Sequence, residues 1–266
     1  MEINRLTIQQ LLRDTAQQVL MPLFNAVKRE YKADGSIVTI ADQNMQQVLG
    51  DALCKLYPET TLLGEEMPKT TQQALLRDST ALWCLDPVDG TSNFAGGMPF
   101  FSVSLAFIQR GEVTHGWVYD PIADECFSAE KDQGAWLNDQ RLKAGFSGLT
   151  LQQTLACIDF KRLPKHLAAR LIKEKPYGSH RCLGSIALEL CWLAAGRFQL
   201  YLHGRQQLWD YAAAILVVQE SGAFASTLKD EKVFSRSLKA RSTCAAIDEH
   251  LFAAWRDYLR VPRCDD

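Results

Sequence analysis

The sequence lacks the features of a membrane, secreted or nucleic-acid-binding protein. The longest apolar runs among its 266 residues, such as 212–218, are too short to span a bilayer. The first residues, Met-Glu-Ile-Asn-Arg, lack the basic-then-apolar order of a signal peptide, so we expect a cytoplasmic protein. Lys+Arg number 29 and Asp+Glu 31, and this balance favours neither nucleic acid nor an anionic membrane as a partner. A small anionic ligand would need local cations, which divalent metal ions could supply.

Cysteine motifs are also absent. The eight cysteines form no C-x-x-C pair, and most lie within apolar runs, as Cys84 does between Trp83 and Leu85. This pattern argues against a zinc or redox site and predicts buried thiols in a reducing compartment. No G-x-S-x-G motif or reactive-cysteine context supports a serine or cysteine hydrolase. What remains is an ordinary globular composition, 47% hydrophobic and 23% charged, in a chain long enough for a large core.

Hydrophobic periodicity predicts alternating helices and strands. The predicted helices are 4–30, 42–56, 164–173, 184–195, 209–220 and 248–259. The predicted strands are 61–64, 82–86, 101–109, 113–119, 154–159, 198–203, 223–227 and 242–247. We expect Pro22 to kink or split the first helix, Asp42 to cap the second, and residues 61–138 to be strand-like throughout. The stretch 144–150 is the one plausible seam, so we predict two closely joined subdomains, residues 1–146 and 147–266, built of α and β layers.

Acidic residues occur in three places where predicted strands or loops meet helices. These segments are Gly64-Glu65-Glu66, Asp86 to Phe94, and Trp209-Asp210. Asp86 ends a buried run, Pro87 biases it towards an extended conformation, and Asp89 can turn back beside it. Two carboxylates in a partly desolvated place repel each other, and a divalent cation would relieve that repulsion. Hard, all-oxygen ligands suit Mg²⁺.

Residues suited to bind phosphate follow these acids directly. Gly90 permits close backbone approach, and the N–H groups of Thr91 and Ser92 would open a helix and form an anion cradle. Each acidic motif alone is more often a turn or a helix cap. Their joint occurrence favours metal-assisted phosphoryl transfer.

Five segments, taken in order, resemble the inositol monophosphatase family over nearly the whole chain. They are Val-Thr-Ile-Ala-Asp at 38–42, Gly-Glu-Glu at 64–66, Asp-Pro-Val-Asp-Gly-Thr-Ser-Asn-Phe at 86–94, Gly-Ser-Ile-Ala-Leu at 184–188, and Trp-Asp-Tyr-Ala-Ala at 209–213 with Glu-Ser-Gly-Ala at 220–223. The resemblance implies an α+β fold, the layered α-β-α-β-α sandwich of the inositol monophosphatase and fructose-1,6-bisphosphatase type. Such proteins are usually homodimers.

The resemblance also implies a metal site. One Mg²⁺ would be held by Glu66, Asp86 and the backbone carbonyl of Val88, and a second by Asp86, Asp89 and Asp210. A third, weaker ion would lie near Glu66. Glu65 is ambiguous in this scheme, and a supporting structural role is favoured for it.

The catalytic and substrate-binding residues are carried over in the same way. Thr91, oriented by Asp42 and assisted by Glu66, would activate the attacking water. The phosphate would be bound at the amides of Gly90 and Thr91. Substrate contacts are also expected at Val88, Asp89, Gly184, Ser185, Ile186, His203 and Asp210. No phosphoenzyme is expected, because no His, Ser or Cys nucleophile belongs to the pattern.

His203 departs from the family pattern. It stands seven residues before Asp210, where these enzymes commonly have a glutamate that binds substrate hydroxyls. His203 is either part of the substrate rim or a surface histidine at a strand end, and Arg205 is an alternative substrate contact nearby. The metal site therefore looks intact while the rim that binds hydroxyl groups looks altered.

Inositol monophosphate is the expected substrate, with alternatives left open. The Thr-Ser-Asn-Phe run at 91–94 resembles the inositol group, whereas nucleotidases more often carry Lys-Glu-Phe. Fructose 1,6-bisphosphate, histidinol phosphate and 3′(2′),5′-bisphosphonucleotides remain possible substrates within the superfamily. A non-catalytic protein that binds phosphorylated ligands is a further alternative, disfavoured because the set of acids is complete.

Overall fold

Two β-sheets organise the part of the chain that the computed structural model describes, residues 2–27, 30–31 and 37–260. The larger sheet has the strand order β3-β4-β5-β6-β7-β8-β9. Its strands are β3 Thr61–Gly64, β4 Ala81–Asp89, β5 Ser102–Gln109, β6 Glu112–Asp120, β7 Glu125–Glu130, β8 Gly134–Leu137 and β9 Gln140–Leu142. Strands β3 and β4 are parallel and the remaining pairs are antiparallel.

The smaller sheet has five strands in the order β11-β10-β12-β14-β13. These are β10 Leu155–Asp159, β11 Ser179–Arg181, β12 Leu200–Gln206, β13 Phe224–Ser226 and β14 Arg241–Ala246. Strand β10 runs parallel to both β11 and β12, while β14 is antiparallel to its neighbours. A short antiparallel pair, β1 Glu30–Tyr31 and β2 Ile37–Val38, stands apart from both sheets.

Helices cover and separate the two sheets. They are α1 Arg5–Thr15, α2 Ile40–Leu56, α3 Lys69–Asp78, α4 Thr91–Gly96, α5 Lys165–Glu174, α6 Ile186–Ala194, α7 Leu208–Ser221 and α8 Glu249–Arg260. Helices α1 and α2 share a core with the outer face of the large sheet, and α5 and α8 with the outer face of the small one. Helices α6 and α7 lie between the sheets and are buried on nearly all sides. The predicted α-β-α-β-α sandwich is confirmed.

The alternation of side chains along β4 shows how one strand serves two layers. Trp83 and Leu85 contact the α1–α2 core, whereas Leu82 and Cys84 contact the α6–α7 core. Successive strand residues point to opposite faces, so a sheet covered on both sides is apolar along its whole length. This explains why the sequence shows a continuous apolar run here rather than an alternating one.

Several predicted helix boundaries are wrong. The first helix does not reach residue 30: α1 continues as a π-helix, Ala16–Leu20, and a 3₁₀ turn, Met21–Leu23. Pro22 has no N–H to donate, so the regular helix cannot continue far beyond it. The predicted end of this helix includes residues 28–29, which lie outside the described residues.

The N-cap of α2 is Thr39, and Asp42 is its third residue rather than its cap. The Thr39 hydroxyl accepts from Ala41 N, and the Asp42 carboxylate accepts from Thr39 N in return, which is a capping box. Residues 61–138 also contain two helices: α3, which was not expected, and α4, which begins after Gly90 as the sequence analysis expected. Helix α3 buries just Gln72 and Leu76, too weak an apolar pattern to be recognised.

The predicted seam falls between the sheets, since the large sheet ends at Leu142 and the small one begins at Leu155. The division into residues 1–146 and 147–266 stays a prediction. Helices α6 and α7 come from the second segment yet pack on the sheet of the first. No helix in the described ranges combines the length and the apolar character that crossing a membrane requires.

Candidate active site

A β-bulge in β4 brings Asp86 and Asp89 to one face of the large sheet. Asp86 pairs with Ser104 and Asp89 with Ser102, so three steps along β4 match two steps along β5. Residues two apart on a strand share a face, and the extra residue in the bulge therefore gives both aspartates the same orientation. That face is the one covered by α7, because Ser104 Oγ donates to the carbonyl of Trp209 at 3.0 Å.

Asp210 approaches from the first turn of α7. It is the third residue of that helix, and its Oδ2 accepts from Gln207 N at 2.7 Å in a capping arrangement. Burial raises the pKa of Asp210 well above its ordinary value, and the charges of Asp89 and Glu65 raise it further. Because Ser104 binds the carbonyl of Trp209 and Gly64 pairs with Leu85, α7 and the turn after β3 both lie beside this part of β4.

Glu65 and Glu66 act on different carboxylates. Burial raises the pKa of Asp86 well above its ordinary value, and the largest charge contribution is that of Glu65, ahead of Asp89 and Asp210. The charge of Glu66 acts instead on Asp42. The sequence analysis assigned Glu66 to the metal and a supporting role to Glu65, and that assignment stays a prediction. Adjacent residues in a turn point in different directions, and the letters Glu-Glu cannot reveal which one faces inward.

Two glutamines, the half-buried Gln46 and the buried Gln72, fix the turn that carries this pair, and the sequence analysis did not identify them. Gln46 on α2 accepts from Glu66 N at 3.1 Å, and a Cβ on Gly64 would clash with its Oε1 at 1.9 Å. Gln72 on α3 donates to the carbonyls of Gly64 and Glu65 at 2.9 and 3.1 Å. Because both glutamines bind backbone atoms, no motif in the sequence marks them.

Asp42 and Thr91 form a second unit next to the acids. Thr91 Oγ1 lies 3.1 Å from Asp42 Oδ1 and 3.0 Å from the carbonyl oxygen of Val88. Asp42 Oδ2 accepts from both the amide and the hydroxyl of Thr39 at 2.7 Å. Burial raises the pKa of Asp42 to about 6, against the opposing effect of these hydrogen bonds. The contact between Thr91 and Asp42 is the one that the family resemblance implied.

The loop before α6 binds Asp89. Asp89 Oδ2 accepts from Ser185 Oγ at 2.6 Å and Ala187 N at 2.7 Å, while its Oδ1 accepts from Ile186 N at 3.1 Å. Ser185 has no exposed surface. Ser185 and Ile186, expected to contact substrate, therefore hold Asp89 in place, because the start of a helix supplies amides that bind a carboxylate.

Glu189 and Asn93 lock this loop from two sides. Glu189 Oε1 accepts from Leu183 N at 2.6 Å and Gly184 N at 2.9 Å. Asn93 Nδ2 donates to the carbonyl of Leu183 at 2.6 Å. Gly90, at φ +96°, stands so close that an added Cβ would lie 3.2 Å from the carbonyl oxygen of Gly184. The expected phosphate loop and the α6 loop thus form one rigid unit that joins the two halves of the chain.

His203 is buried, so its interpretation as a surface histidine is wrong. Its Nε2 lies 3.2 Å from Asp159 Oδ2, and its Nδ1 accepts from Arg205 N at 3.2 Å. Both ring nitrogens therefore have protein partners, and burial lowers the pKa of the imidazole. A neutral, fully engaged histidine stabilises the end of β12, and its expected contact with substrate stays a prediction.

The match to the inositol monophosphatase family model extends over residues 4–259. The chain belongs to the inositol monophosphatase family. Members of this family are Mg²⁺-dependent phosphatases that hydrolyse phosphomonoesters, and the chain is a phosphatase of this family.

Relatives within the family carry different names. The chain is 35% identical over 195 residues to the "Nus factor SuhB" of Pasteurella multocida, which covers 72% of each protein. It is 31% identical over 205 residues to the "Fructose-1,6-bisphosphatase/inositol-1-monophosphatase" of Thermotoga maritima, 76% of each protein. The solved structure of Thermotoga maritima IMPase TM1415 matches with a TM-score of 0.83 and 27% identity over 97% of this chain and 96% of that one. The specific substrate is not settled by these names.

The carboxylates suit the family's cation in type and in burial. Asp86, Asp89 and Asp210 are all buried. The charges of Asp89 and Asp210 raise the pKa of Asp86, and the charge of Asp89 also raises the pKa of Asp210. A hard divalent ion relieves such repulsion. In the described ranges no three His, Cys, Asp or Glu side chains already stand in the arrangement of a metal site.

Proposed function

We propose that the protein hydrolyses a small phosphomonoester with Mg²⁺ held by Glu65, Asp86, Asp89 and Asp210, and that inositol monophosphate is its substrate. The observation that carries this proposal is the gathering of acids beside β4: the bulge puts Asp86 and Asp89 on the face covered by α7, the helix that carries Asp210. The charge of the half-buried Glu65 raises the pKa of both Asp86 and Asp210. A structural role would not require so many acids in one place.

Two firm ion sites are proposed, with Glu65 in the place that the sequence analysis gave to Glu66. Glu65, Asp86 and the carbonyl of Val88 would hold one ion, and Asp86, Asp89 and Asp210 the other. When bound, Mg²⁺ neutralises phosphate charge and lowers the pKa of an attacking water. A third, weaker ion would lie beside the same glutamate.

Thr91 and Asp42 are proposed to remove the proton from the attacking water. The hydroxyl of Thr91 already lies between Asp42 Oδ1 and the carbonyl of Val88. A carboxyl group with a pKa of about 6 is basic enough to share a proton near neutral pH. Glu66 contributes through its charge, which raises the pKa of Asp42. The amides of Gly90 and Thr91 would bind phosphate oxygens.

Several finer assignments accompany this proposal. Gly184 sits against Gly90, where it would line the pocket. The Thermotoga maritima relative named for two activities supports a sugar or polyol phosphate as the substrate class, and fructose 1,6-bisphosphate is the main alternative. A homodimer and a cytoplasmic location stay predictions.

Phosphate release tests the proposal. We would assay inositol 1-phosphate, fructose 1,6-bisphosphate, histidinol phosphate, a 3′,5′-bisphosphonucleotide and 2′-AMP, each with Mg²⁺ and with chelator. Metal-dependent turnover concentrated on inositol 1-phosphate is expected, and turnover of another compound would keep the chemistry and change the substrate. If folded protein that binds Mg²⁺ releases phosphate from none of these compounds, a non-catalytic protein that binds phosphorylated ligands would be favoured.

The metal ligands are tested by Asp210→Asn, with Asp14→Asn as a control because Asp14 is an exposed acid on α1. Removing one group from a charge-stabilising site commonly lowers turnover by about 100-fold or more. Asp210→Asn should do so while its circular dichroism stays that of the wild type. The control should keep its full rate. A near-normal rate for Asp210→Asn would exclude it as a metal ligand.

A further inference from the structure

Asp159, His203 and Arg162 form a polar cluster outside the acids assigned to the metals. Strands β10 and β12 run parallel, and Asp159 at the end of β10 pairs with His203 in the middle of β12. Asp159 Oδ2 lies 3.2 Å from His203 Nε2 and 3.9 Å from Arg162 Nε. Strand β12 then leads directly into α7, so this cluster stands at the edge where Asp210 begins its helix.

The backbone of Arg162 is held in place. Arg162 ends the 3₁₀ turn Phe160–Arg162, and its N–H donates to Asp159 Oδ1 at 3.3 Å. A Cβ added to Gly204 would lie only 2.0 Å from the carbonyl oxygen of Arg162. The turn therefore rests directly on β12, at a contact that a residue larger than glycine would disrupt.

The side chain of Arg162 remains accessible while its neighbours are engaged. It is 45% exposed, against 19% for Asp159 and 2% for His203. Its Nη1 lies 3.5 Å from the carbonyl oxygen of Arg205, on the segment that leads to Asp210. The positive charge of Arg162 also lowers the pKa of Asp210, against the much larger effect of burial. Arg162 is thus a cation whose backbone is held in place. Its charge acts on Asp210 in the proposed catalytic centre.

We propose that Arg162 binds a second anionic group when a phosphomonoester carries one, so that, of two otherwise matched compounds, the enzyme favours the one with a further phosphate or carboxylate. This inference rests on the proposed function. A guanidinium group binds phosphate and carboxylate through two parallel N–H donors. Its present partner, Asp159, is 3.9 Å away and already bonded to His203, and a half-exposed ion pair at that distance is weak. The guanidinium group can therefore release Asp159 and bind a ligand at a small cost in free energy.

The test compares two substrates that differ by one phosphate, fructose 1,6-bisphosphate and fructose 1-phosphate. We would measure kcat and KM for the wild type, Arg162→Gln and Arg162→Lys. The matched control is Arg110→Gln, since the N–H of Arg110 binds Thr80 at the far end of β4 from Asp86. Arg162→Gln should lower the ratio of kcat/KM for the bisphosphate over the monophosphate by about 10-fold or more, mainly through KM. Arg162→Lys should recover part of that ratio, and the control should leave it unchanged.

Two results overturn the inference: an unchanged ratio in Arg162→Gln, or an equal loss on both substrates. If the wild type hydrolyses neither compound nor any other phosphomonoester, the proposed function has failed instead. Calorimetric titration of the two fructose phosphates in Mg²⁺ then decides the inference separately. Equal affinity of the wild type and Arg162→Gln for the bisphosphate would contradict it, and selective loss of bisphosphate binding would support it.

Discussion

At the scale of single residues, the direction of a side chain separates residues that are neighbours in sequence. Glu65 and Glu66 are chemically identical, yet one acts on Asp86 and Asp210 and the other on Asp42. Two hydrogen-bonded glutamines fix the turn that produces this difference. The roles of the two glutamates should therefore differ sharply.

Replacing each glutamate by glutamine measures that difference. Glu65→Gln should lower Mg²⁺-dependent turnover by about 100-fold and raise the Mg²⁺ concentration needed for half-maximal rate, because a charged ligand is lost. Glu66→Gln should change the rate much less and leave the Mg²⁺ requirement near that of the wild type. Initial rates against Mg²⁺ concentration decide the point. The opposite ranking would restore Glu66 as the ligand.

Glu189 should give stability a pH dependence that Glu189→Gln removes. Burial raises the pKa of Glu189 to about 7. The folded protein then keeps a proton that the unfolded chain releases near pH 4.3, so wild-type stability falls as pH rises from there to about 7. Both loop amides bind the same oxygen, Oε1, and a glutamine can accept them equally well.

Between pH 5.5 and pH 8, the free energy of unfolding of Glu189→Gln should therefore rise relative to that of the wild type by on the order of 2 kcal/mol. Urea unfolding with chelator present measures it. Glu59→Gln, which alters an exposed acid, controls for the loss of a charge. A difference that does not change with pH would mean that Glu189 is ionised throughout.

At the scale of elements, helix ends carry most of the site. The start of α6 binds Asp89, the start of α7 presents Asp210, and the capping box of α2 holds Asp42. In each case the carboxylate accepts from backbone amides at the helix N-terminus, which have no hydrogen-bond partner within the helix. The same chemistry fixes α8 to the segment between the sheets, outside the site.

Asp248 makes that attachment. Its Oδ1 accepts from Leu251 N at 2.8 Å, and its Oδ2 accepts from Ser147 N and Ser147 Oγ at 2.9 and 2.6 Å. Although burial opposes the effect, these bonds lower the pKa of Asp248. The stabilisation is therefore complete above the ordinary aspartate pKa and disappears only as pH falls through the lower, folded value.

Asp248→Ala should lower the free energy of unfolding by about 1–2 kcal/mol at pH 7, as measured by urea unfolding. Asp257→Ala, which changes an exposed residue on the same helix, should leave it nearly unchanged. An equal loss in both variants would mean that the hydrogen bonds of Asp248 do not account for the loss.

At the scale of the whole molecule, α7 joins the two sheets into one core. Gly116 on β6 touches this helix so closely that a Cβ would lie 2.7 Å from the carbonyl oxygen of Ala213. Gly116→Ala should therefore destabilise the protein by about 1–3 kcal/mol, because β6 and α7 must separate. Gly145→Ala is the control, as a Cβ there meets nothing within 4 Å. Tryptophan fluorescence and far-ultraviolet circular dichroism should report one coincident unfolding transition in both variants. Two separate transitions would instead show that residues 1–146 and 147–266 unfold independently.

The sequence by itself determined the family, most strands and the later helices, and through the family resemblance it implied the layered fold. It also singled out Asp86, Asp89, Asp210, Thr91 and Asp42 as candidate site residues, because these features depend on local pattern and on motifs of fixed spacing. Only the tertiary structure shows that the charge of Glu65 acts on Asp86 and Asp210, that His203 is bound to Asp159, and that Ser185 supports Asp89. Each of these depends on residues elsewhere in the chain: Gln46 lies 20 positions from Glu66, and Ser185 lies 96 positions from Asp89. A bulge, a turn and a buried hydrogen bond are determined by what packs against them, and no short stretch of sequence contains that information.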